Sequence, residues 1–552
     1  MSNAIFKVPC PINEAVPSYQ KDSKEYKSLK KELARQSSIV LDIPIIIGGE
    51  EIRTNDTKTV VMPHNHKHTL AKFHVGGKAE LKKAIQVALK AKAAWSAMPF
   101  EHRAGVFLKA AELFTTKYRD LINASTMLGQ SKNLFQAEID AACELADFLR
   151  FNAHFAQKIY ADQPVNSSGI WNRVEYRPLD GFVAAISPFN FTAIAANLCS
   201  CPAMLGNVAI WKPSSTAMLS NYYIMKIFEE AGLPKGVINF VPCSGKDFSD
   251  TVLKHEQLGG IHFTGSTAVF KDIWGTIGTN IKKYKNYPRI VGETGGKDFV
   301  FTHNSVLEKG ADGQNQINGL STALIRGAFE YQGQKCSAAS RAYISASVWS
   351  ELKPVLIEQT KSIKTGDVSD FSNFCGAVID KNSFAKIKGY VDGARASADC
   401  TVLCGEVDDS VGYFVKPTVI LTTNPNYVTM KEEIFGPVLT IYVYEDKDFD
   451  KAIGYCKDND YALTGAIWGQ GREILLKMER DLSEAAGNLY INDKCTGAVV
   501  GQQPFGGGKA SGTNDKAGSI LNLYRWVSAR TIKETFVSPQ HFSYPYMNES
   551  KE

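Results

Sequence analysis

The stretch Gly181-Phe182-Val183-Ala184-Ala185-Ile186-Ser187-Pro188-Phe189-Asn190-Phe191-Thr192 sets the fold class of this chain. Its first six residues form an unbroken apolar run, the pattern of a strand buried on both faces, and Pro188 ends it. From Thr192 to Leu205 the spacing turns helical, and the alternation then repeats. Asn207 to Trp211 reads as strand, Thr216 to Ala231 as helix, and Val237 to Val241 and Ile261 to Phe263 as further strands. Strands alternating with helices predict a parallel sheet covered on both faces, the architecture of a nucleotide-binding lobe. Asn190 offers a neutral amide at the strand's C-terminal end, where open α/β sheets bind ligands. A turn residue is its plainer reading. No G-x-G-x-x-G fingerprint follows these strands, and Gly506-Gly507-Gly508, after a proline-containing loop, reads as close packing.

Outside this lobe, Leu81 to Trp95 has helical spacing, as does Gln136 to Ala156, with Ile139, Cys143, Ala146 and Leu149 on one face. After Phe301 a second strand series begins, at Ser340 to Ile344, Thr418 to Leu421 and Leu439 to Tyr444. These predict a second α/β lobe carrying Cys336, with the site in the cleft between lobes. The polar stretch from Asn304 to Asn318 reads as a surface insertion.

Two glycine-rich stretches carry the chemistry. Tyr331-Gln332-Gly333-Gln334-Lys335-Cys336-Ser337-Ala338 sets one thiol among small residues, and Val291-Gly292-Glu293-Thr294-Gly295-Gly296-Lys297 sets a carboxylate in a bendable frame. A thiol that becomes acylated needs backbone close by to stabilise an oxyanion, and a base to activate the releasing water. Taken singly, a cysteine is more often a buried small hydrophobe and a glutamate a solvated surface group.

With Trp211-Lys212-Pro213-Ser214, Phe263-Thr264-Gly265-Ser266 and Glu432-Glu433-Ile434-Phe435-Gly436-Pro437-Val438, these stretches resemble the aldehyde dehydrogenase superfamily, in that family's order, over residues 45 to 536. Within it the chain looks most like the eukaryotic-type Δ1-pyrroline-5-carboxylate dehydrogenases, on Pro188 to Leu198, Tyr490 to Gly508 and Ala510 to Lys516. The resemblance implies an α/β fold with a Rossmann-like NAD-binding lobe (41–165 and 181–302), a catalytic lobe (303–520), an oligomerisation hairpin (166–180 and 521–552) and an N-terminal extension (1–40). It implies NAD-dependent oxidation of L-glutamate γ-semialdehyde, from Δ1-pyrroline-5-carboxylate, to L-glutamate, the second step of proline degradation.

The same resemblance assigns roles. Cys336 attacks the aldehyde, Asn190 and the Cys336 N–H hold the oxyanion, and Glu293 activates water. Ser187, Lys212, Gly265, Ser266, Thr267, Ala268, Val269, Glu433 and Phe435 line the NAD site. Many NAD-preferring relatives carry an acidic residue three places after the lysine; here it is Ser215, which does not repel a 2′-phosphate. For the substrate, Ser337, Gly497 and Ala498 meet the carboxylate, Phe191 and Phe505 flank the stem, and Glu138 is a candidate to face the ammonium. Three rival readings remain. A reductase or phosphorylating dehydrogenase would not need Glu293, a broad-specificity aldehyde dehydrogenase would make little use of the Cys495-to-Ala498 loop, and a silent binding protein would not need all three catalytic positions.

Composition limits the rest. With 552 residues, 44% hydrophobic and 22% charged, the chain is expected to form two or three lobes. A net charge of +5, from 62 basic and 57 acidic residues, gives nucleic-acid binding little support. The basic run Lys21 to Lys31 is interleaved with Asp22 and Glu25 and reads as a solvated helix face. The eleven cysteines have no C-x-x-C pair, and Cys199 and Cys201 point to different helix faces, so free thiols are expected. His64, His66 and His68 read as an exposed loop rather than a metal site, and no metal is expected. No apolar run reaches the ~20 residues of a membrane span. Met1 to Lys24 lacks arginine and makes a poor mitochondrial leader, although the resemblance implies the mitochondrial matrix, with the cytoplasm as the alternative. It also implies a homodimer or larger homo-oligomer, a small-molecule substrate, and proline dehydrogenase as a candidate partner.

Overall fold

A computed structural model describes residues 5–310 and 313–547. Two seven-stranded sheets organise it. In the first, Phe182–Ile186 lies at the centre, with Leu258–Thr264 and then Arg289–Glu293 on one side, and Ala209–Lys212 and Ile238–Phe240 on the other, all parallel. Ile45–Ile47 and Glu50–Ile52 extend it antiparallel. The chain reverses its direction of sheet growth between strands 182–186 and 258–264, which opens a crevice at their C-terminal ends. Strand 182–186 is apolar throughout and its first four residues are buried, because helices cover both faces.

The expected strand at 207–211 sits at Ala209–Lys212, shifted by the turn at Gly206, whose φ is +90°. Helix Thr192–Met204 follows the strand's exit as expected. The expected helix at 136–156 is present but interrupted: Leu134–Ala137 runs into a π-helix, Glu138–Glu144, and continues as Leu145–Ala161. One extra residue per turn rotates the face, so Glu138 and Asp140 are buried and Ile139 is not fully so.

The second sheet runs Cys400–Cys404, Thr418–Thr422, Val438–Tyr444, Ala339–Ser345, Asp298–Thr302, Thr464–Trp468 and Asn488–Ile491. Strand 298–302 corrects the expected boundary at residue 302. It pairs with 339–345 and 464–468, so the chain enters the second sheet within five residues of Glu293. Ile170–Pro178 and Val527–Thr535 form a separate antiparallel ribbon with register from Ile170–Thr535 to Pro178–Val527. The basic run near the N-terminus lies in helix Lys24–Ser37, which buries Leu29 and Leu33. All eleven cysteines are free.

The histidine run is not an exposed loop. His64 is buried against Ser131 Oγ at 3.1 Å, while His66 and His68, on strand Asn65–His74, each bond a backbone carbonyl. Of the 304–318 insertion, residues 311 and 312 lie outside the described residues, as do 1–4 and 548–552 of the terminal segments. Helix Ile317–Phe329 starts at the insertion's end. Among the described residues no helix is long and apolar enough to cross a membrane.

Candidate active site

The thiol is presented by a turn of unusual backbone. Tyr331, Gln332 and Gly333 have φ of +51°, +54° and +63°, three left-handed residues in succession. Such geometry costs about 1 kcal/mol or more at each non-glycine and persists only where the surroundings hold it. Here they do. Gln332 Nε2 donates to the carbonyls of Ser131 and Ala377 at 2.9 and 2.8 Å. A Cβ on Gly333 would lie 2.2 Å from the Gly436 carbonyl oxygen, so only glycine fits. The Asn190 amide donates to the Gln334 carbonyl at 3.0 Å, two residues before Cys336. Ser337 Oγ meets Thr496 Oγ1 at 2.7 Å on the other side. Cys336 itself stays half-buried between these anchors.

Glu293 ends strand 289–293, in register with Thr264 of the neighbouring strand. Its carbonyl accepts from Gly265 N–H at 3.2 Å, and Thr294 N–H reaches the Ser511 carbonyl at 2.9 Å. The next residues run directly under the thiol: a Cβ on Gly296 would lie 2.3 Å from the Cys336 carbonyl oxygen. Gly296 N–H donates to Glu433 Oε1 at 3.1 Å, and a Cβ on Gly295 would strike that carboxylate. The glutamate, cysteine and Glu433 stretches therefore meet at one place.

Electrostatics sets their resting states. Burial, reinforced by Asp515 and opposed by Lys516, pushes Glu293 up to about 8. Burial, then the carboxylates of Glu293, Asp298 and Glu433, raises the Cys336 thiol well above its usual range. The site at rest does not favour a thiolate, so the proton must leave as attack occurs, and an ionised Glu293 beside it is a base within the same pocket.

The crevice at the sheet's reversal gathers the residues expected to hold a dinucleotide. Ser187 closes strand 182–186 and accepts from Trp211 Nε1 at 3.0 Å. Lys212 ends the next strand; burial depresses its ammonium, and among the described residues no carboxylate pairs with it. Gly265 packs so tightly on the Phe263 ring that a Cβ would sit 2.7 Å from it. Ser266 caps helix Thr267–Thr279, accepting from Val269 N–H at 3.4 Å, and leaves the first turn of Thr267, Ala268 and Val269 facing outward. An uncovered helix N-terminus beside an unpaired lysine fits a pyrophosphate and a ribose. Glu433 and Phe435 complete the line. Phe435 is left-handed at φ +60°, with its ring edge-on to Phe189 at 5.7 Å.

On the opposite side, the half-buried Phe191 ring lies 4.1 Å from Lys132 Nζ. Lys132 also stacks on Tyr331 at 4.5 Å and pairs with Asp140 at 2.7 Å. Asp140 in turn accepts from Thr192 and Ala193 N–H, capping helix 192–204 from a distance. Gly497, with φ +92°, and Ala498 are accessible beside buried Thr496. Phe505 bridges to Ala517 nearby. Glu138 does not face this space. It is buried and takes donors from Tyr19, Asn123 and Arg119, because the π turn directs it toward helix Arg119–Gln130. The carboxylate that sequence reasoning missed is Glu144, at the π-helix end. It is partly accessible, and among the described residues nothing donates a hydrogen bond to it. Burial and Asp140 raise it, against Lys132 and Lys335. No periodicity announces a π turn, so the sequence held no signal for it.

Comparison with known proteins gives a consistent result. Residues 52–532 match the family model described as the aldehyde dehydrogenase family. Over 545 residues the chain is 53% identical to the mitochondrial delta-1-pyrroline-5-carboxylate dehydrogenase of Dictyostelium discoideum, covering 98% of this chain and 96% of that one. The mitochondrial protein of the same name from Homo sapiens is 47% identical over 538 residues, covering 97% and 94%. The crystal structure of the Delta-pyrroline-5-carboxylate dehydrogenase from Mycobacterium tuberculosis bound with NAD has a TM-score of 0.94 at 49% identity, covering 99% of this chain and 100% of that one.

Proposed function

We propose, on the premise that this chain belongs to the aldehyde dehydrogenase family, that it oxidises L-glutamate γ-semialdehyde, formed by ring-opening of Δ1-pyrroline-5-carboxylate, to L-glutamate with NAD. The observation that carries the reading is the meeting of Cys336, Glu293 and Asn190 beside a loop, Thr496–Ala498, that offers free backbone to a carboxylate. The reaction would be the second step of proline degradation. The sheet-reversal crevice supports the NAD-binding role of the first lobe, and the Cys336 turn the catalytic role of the second.

Cys336 adds to the aldehyde carbon as Glu293 takes its proton. The Cys336 N–H and the Asn190 amide receive the oxygen that becomes negative. Ser187, Lys212, the 265–269 turn, Glu433 and Phe435 would hold NAD, which when bound would supply the hydride acceptor needed for the adduct to become a thioester. Glu293 passes that first proton to solvent and, ionised again, draws a proton from water, which attacks the thioester carbon and breaks the C–S bond; the acid leaves and the sulfur recovers a proton. Ser337, Gly497 and Ala498 take the substrate carboxylate, Phe191 and Phe505 flank the methylenes, and Glu144 faces the ammonium, the role first considered for Glu138. The mitochondrial names of the relatives support the matrix as its compartment. The exposed ribbon bearing Trp171, with Phe536 and Val537 just beyond it, supports a homo-oligomer. Proline dehydrogenase, the producer of the substrate, is the candidate partner.

NADH formation with pyrroline-5-carboxylate and with propionaldehyde, in wild type and Cys336→Ala, tests the reading. A strong preference for the first, lost in the variant by at least about 10⁴-fold, is expected. Equal rates on both aldehydes would make it a general aldehyde dehydrogenase, and activity surviving the substitution would sink the mechanism.

A further inference from the structure

Residues 5–20 form no helix or strand, yet their polar groups bind two elements of the site together. Asn13 is the junction. Its Nδ2 donates to Asp147 Oδ2 at 2.8 Å and to the Val500 carbonyl at 2.9 Å, while its Oδ1 accepts from Gln502 Nε2 at 2.8 Å. The Glu14 N–H fills the second Asp147 oxygen at 2.8 Å, and the Glu14 carboxylate pairs with Arg119 and Arg150. The Tyr19 hydroxyl donates to Glu138 at 2.6 Å.

These contacts are placed with respect to substrate. Glu138, Glu144 and Asp147 lie on one continuous helical run, with Asp147 three residues beyond Glu144 on the same side. Val500 and Gln502 close the loop that begins at Thr496-Gly497-Ala498. Asp147 is 3% exposed, and among the described residues its hydrogen bonds come from Asn13 and Glu14 alone. A buried carboxylate stripped of its donors moves or draws in water, and the helix moves with it.

We propose that Asn13 is a positioning residue for substrate selection. Through Asp147 and Val500 it fixes the spacing between the carboxylate of Glu144 and the Gly497–Ala498 loop, the two sites that receive the ammonium and carboxylate of an amino acid semialdehyde. The inference rests on the substrate reading above. Among the described residues Asn13 makes no hydrogen bond to the Cys336 turn or to the dinucleotide crevice, so an aldehyde lacking both charged groups does not feel it.

The test is steady-state kinetics of the full chain, wild type and Asn13→Ala, with pyrroline-5-carboxylate and with propionaldehyde. Loss of these hydrogen bonds is expected to raise KM for the semialdehyde about tenfold, with its kcat, both constants for propionaldehyde and KM for NAD within about twofold. A parallel loss on both aldehydes is a structural lesion and overturns the inference, as does an unchanged KM for the semialdehyde. Gln502→Ala removes one bond and keeps both from Nδ2; it is expected to act about threefold in the same direction, and it decides the matter if Asn13→Ala does not fold. Wild type is read in the same assay. If wild type shows no preference, the substrate reading fails and this inference with it; if the preference persists undiminished in both variants, this inference fails alone.

Discussion

The turn before Cys336 and the helix start at Ser266 lie at the two ends of the Glu293–Gly296 stretch, and they are built in opposite ways. Tyr331, Gln332 and Gly333 are buried, left-handed and tied by side-chain bonds to Ser131 and Ala377. Ser266, Ala268 and Val269 are exposed, regular in backbone and bonded mainly within their own helix. The thiol must meet a carbon in one geometry, so its support is fixed before substrate arrives. The cofactor edge must admit and release a large anion at every turnover, so it offers N–H groups and leaves them uncovered. One side spends folding energy on position, the other keeps its donors free for a ligand.

Three substitutions probe that contrast. The largest effect belongs to the nucleophile side. Asn190→Ala removes the proposed oxyanion donor and the anchor on Gln334, and kcat with propionaldehyde is expected to fall by about 10²–10³, with KM for NAD little changed. A shared fall in NAD affinity would mean that the two sides are coupled. Next comes the cofactor side. Lys212→Met keeps the buried stem and deletes the ammonium; KM for NAD is expected to rise about tenfold, with kcat at saturating NAD within about twofold. A kcat collapse there would blur the distinction.

The smallest effect sharpens the stretch that joins them. Glu293, the proposed base, can act only when ionised, so kcat/KM of the free enzyme is expected to rise with pH through about 8. Asp515 raises Glu293 by charge repulsion, second to burial. Removing that charge in Asp515→Asn favours the ionised form, and the ascending limb on the acid side moves to lower pH, by under about one unit. A pH–rate profile with propionaldehyde reads the shift, and a limb that stays in place or moves upward contradicts the assignment.

Much of this was legible in the sequence, for a physical reason. Strands buried on both faces are written as continuous apolar runs, and Pro188 marks where the first of them stops, so Phe182–Ile186 and its neighbours stand out locally. The glycines around Glu293 and Cys336 are legible for a related reason, since Gly296 and Gly333 touch foreign carbonyl oxygens where any side chain would clash. What stayed hidden depends on contacts with distant partners. Strand 298–302 follows strand 289–293 closely in sequence but belongs to the other sheet, which only its pairing with 339–345 and 464–468 reveals. The π turn that directs Glu138 away from this space leaves no periodic trace. Asn13 and Tyr19 sit in a segment without pattern, and their partners lie more than a hundred positions away.

The ribbon formed by Ile170–Pro178 and Val527–Thr535 also dictates an order of assembly. Trp526, just before its second strand, is wholly buried against His262 at 4.7 Å, and its carbonyl takes the Asn207 amide at 2.8 Å. The first sheet is thus finished by a piece made after the whole second lobe. During synthesis the early lobe emerges first, and its seam at His262 and Asn207 can close only once Trp526 has followed.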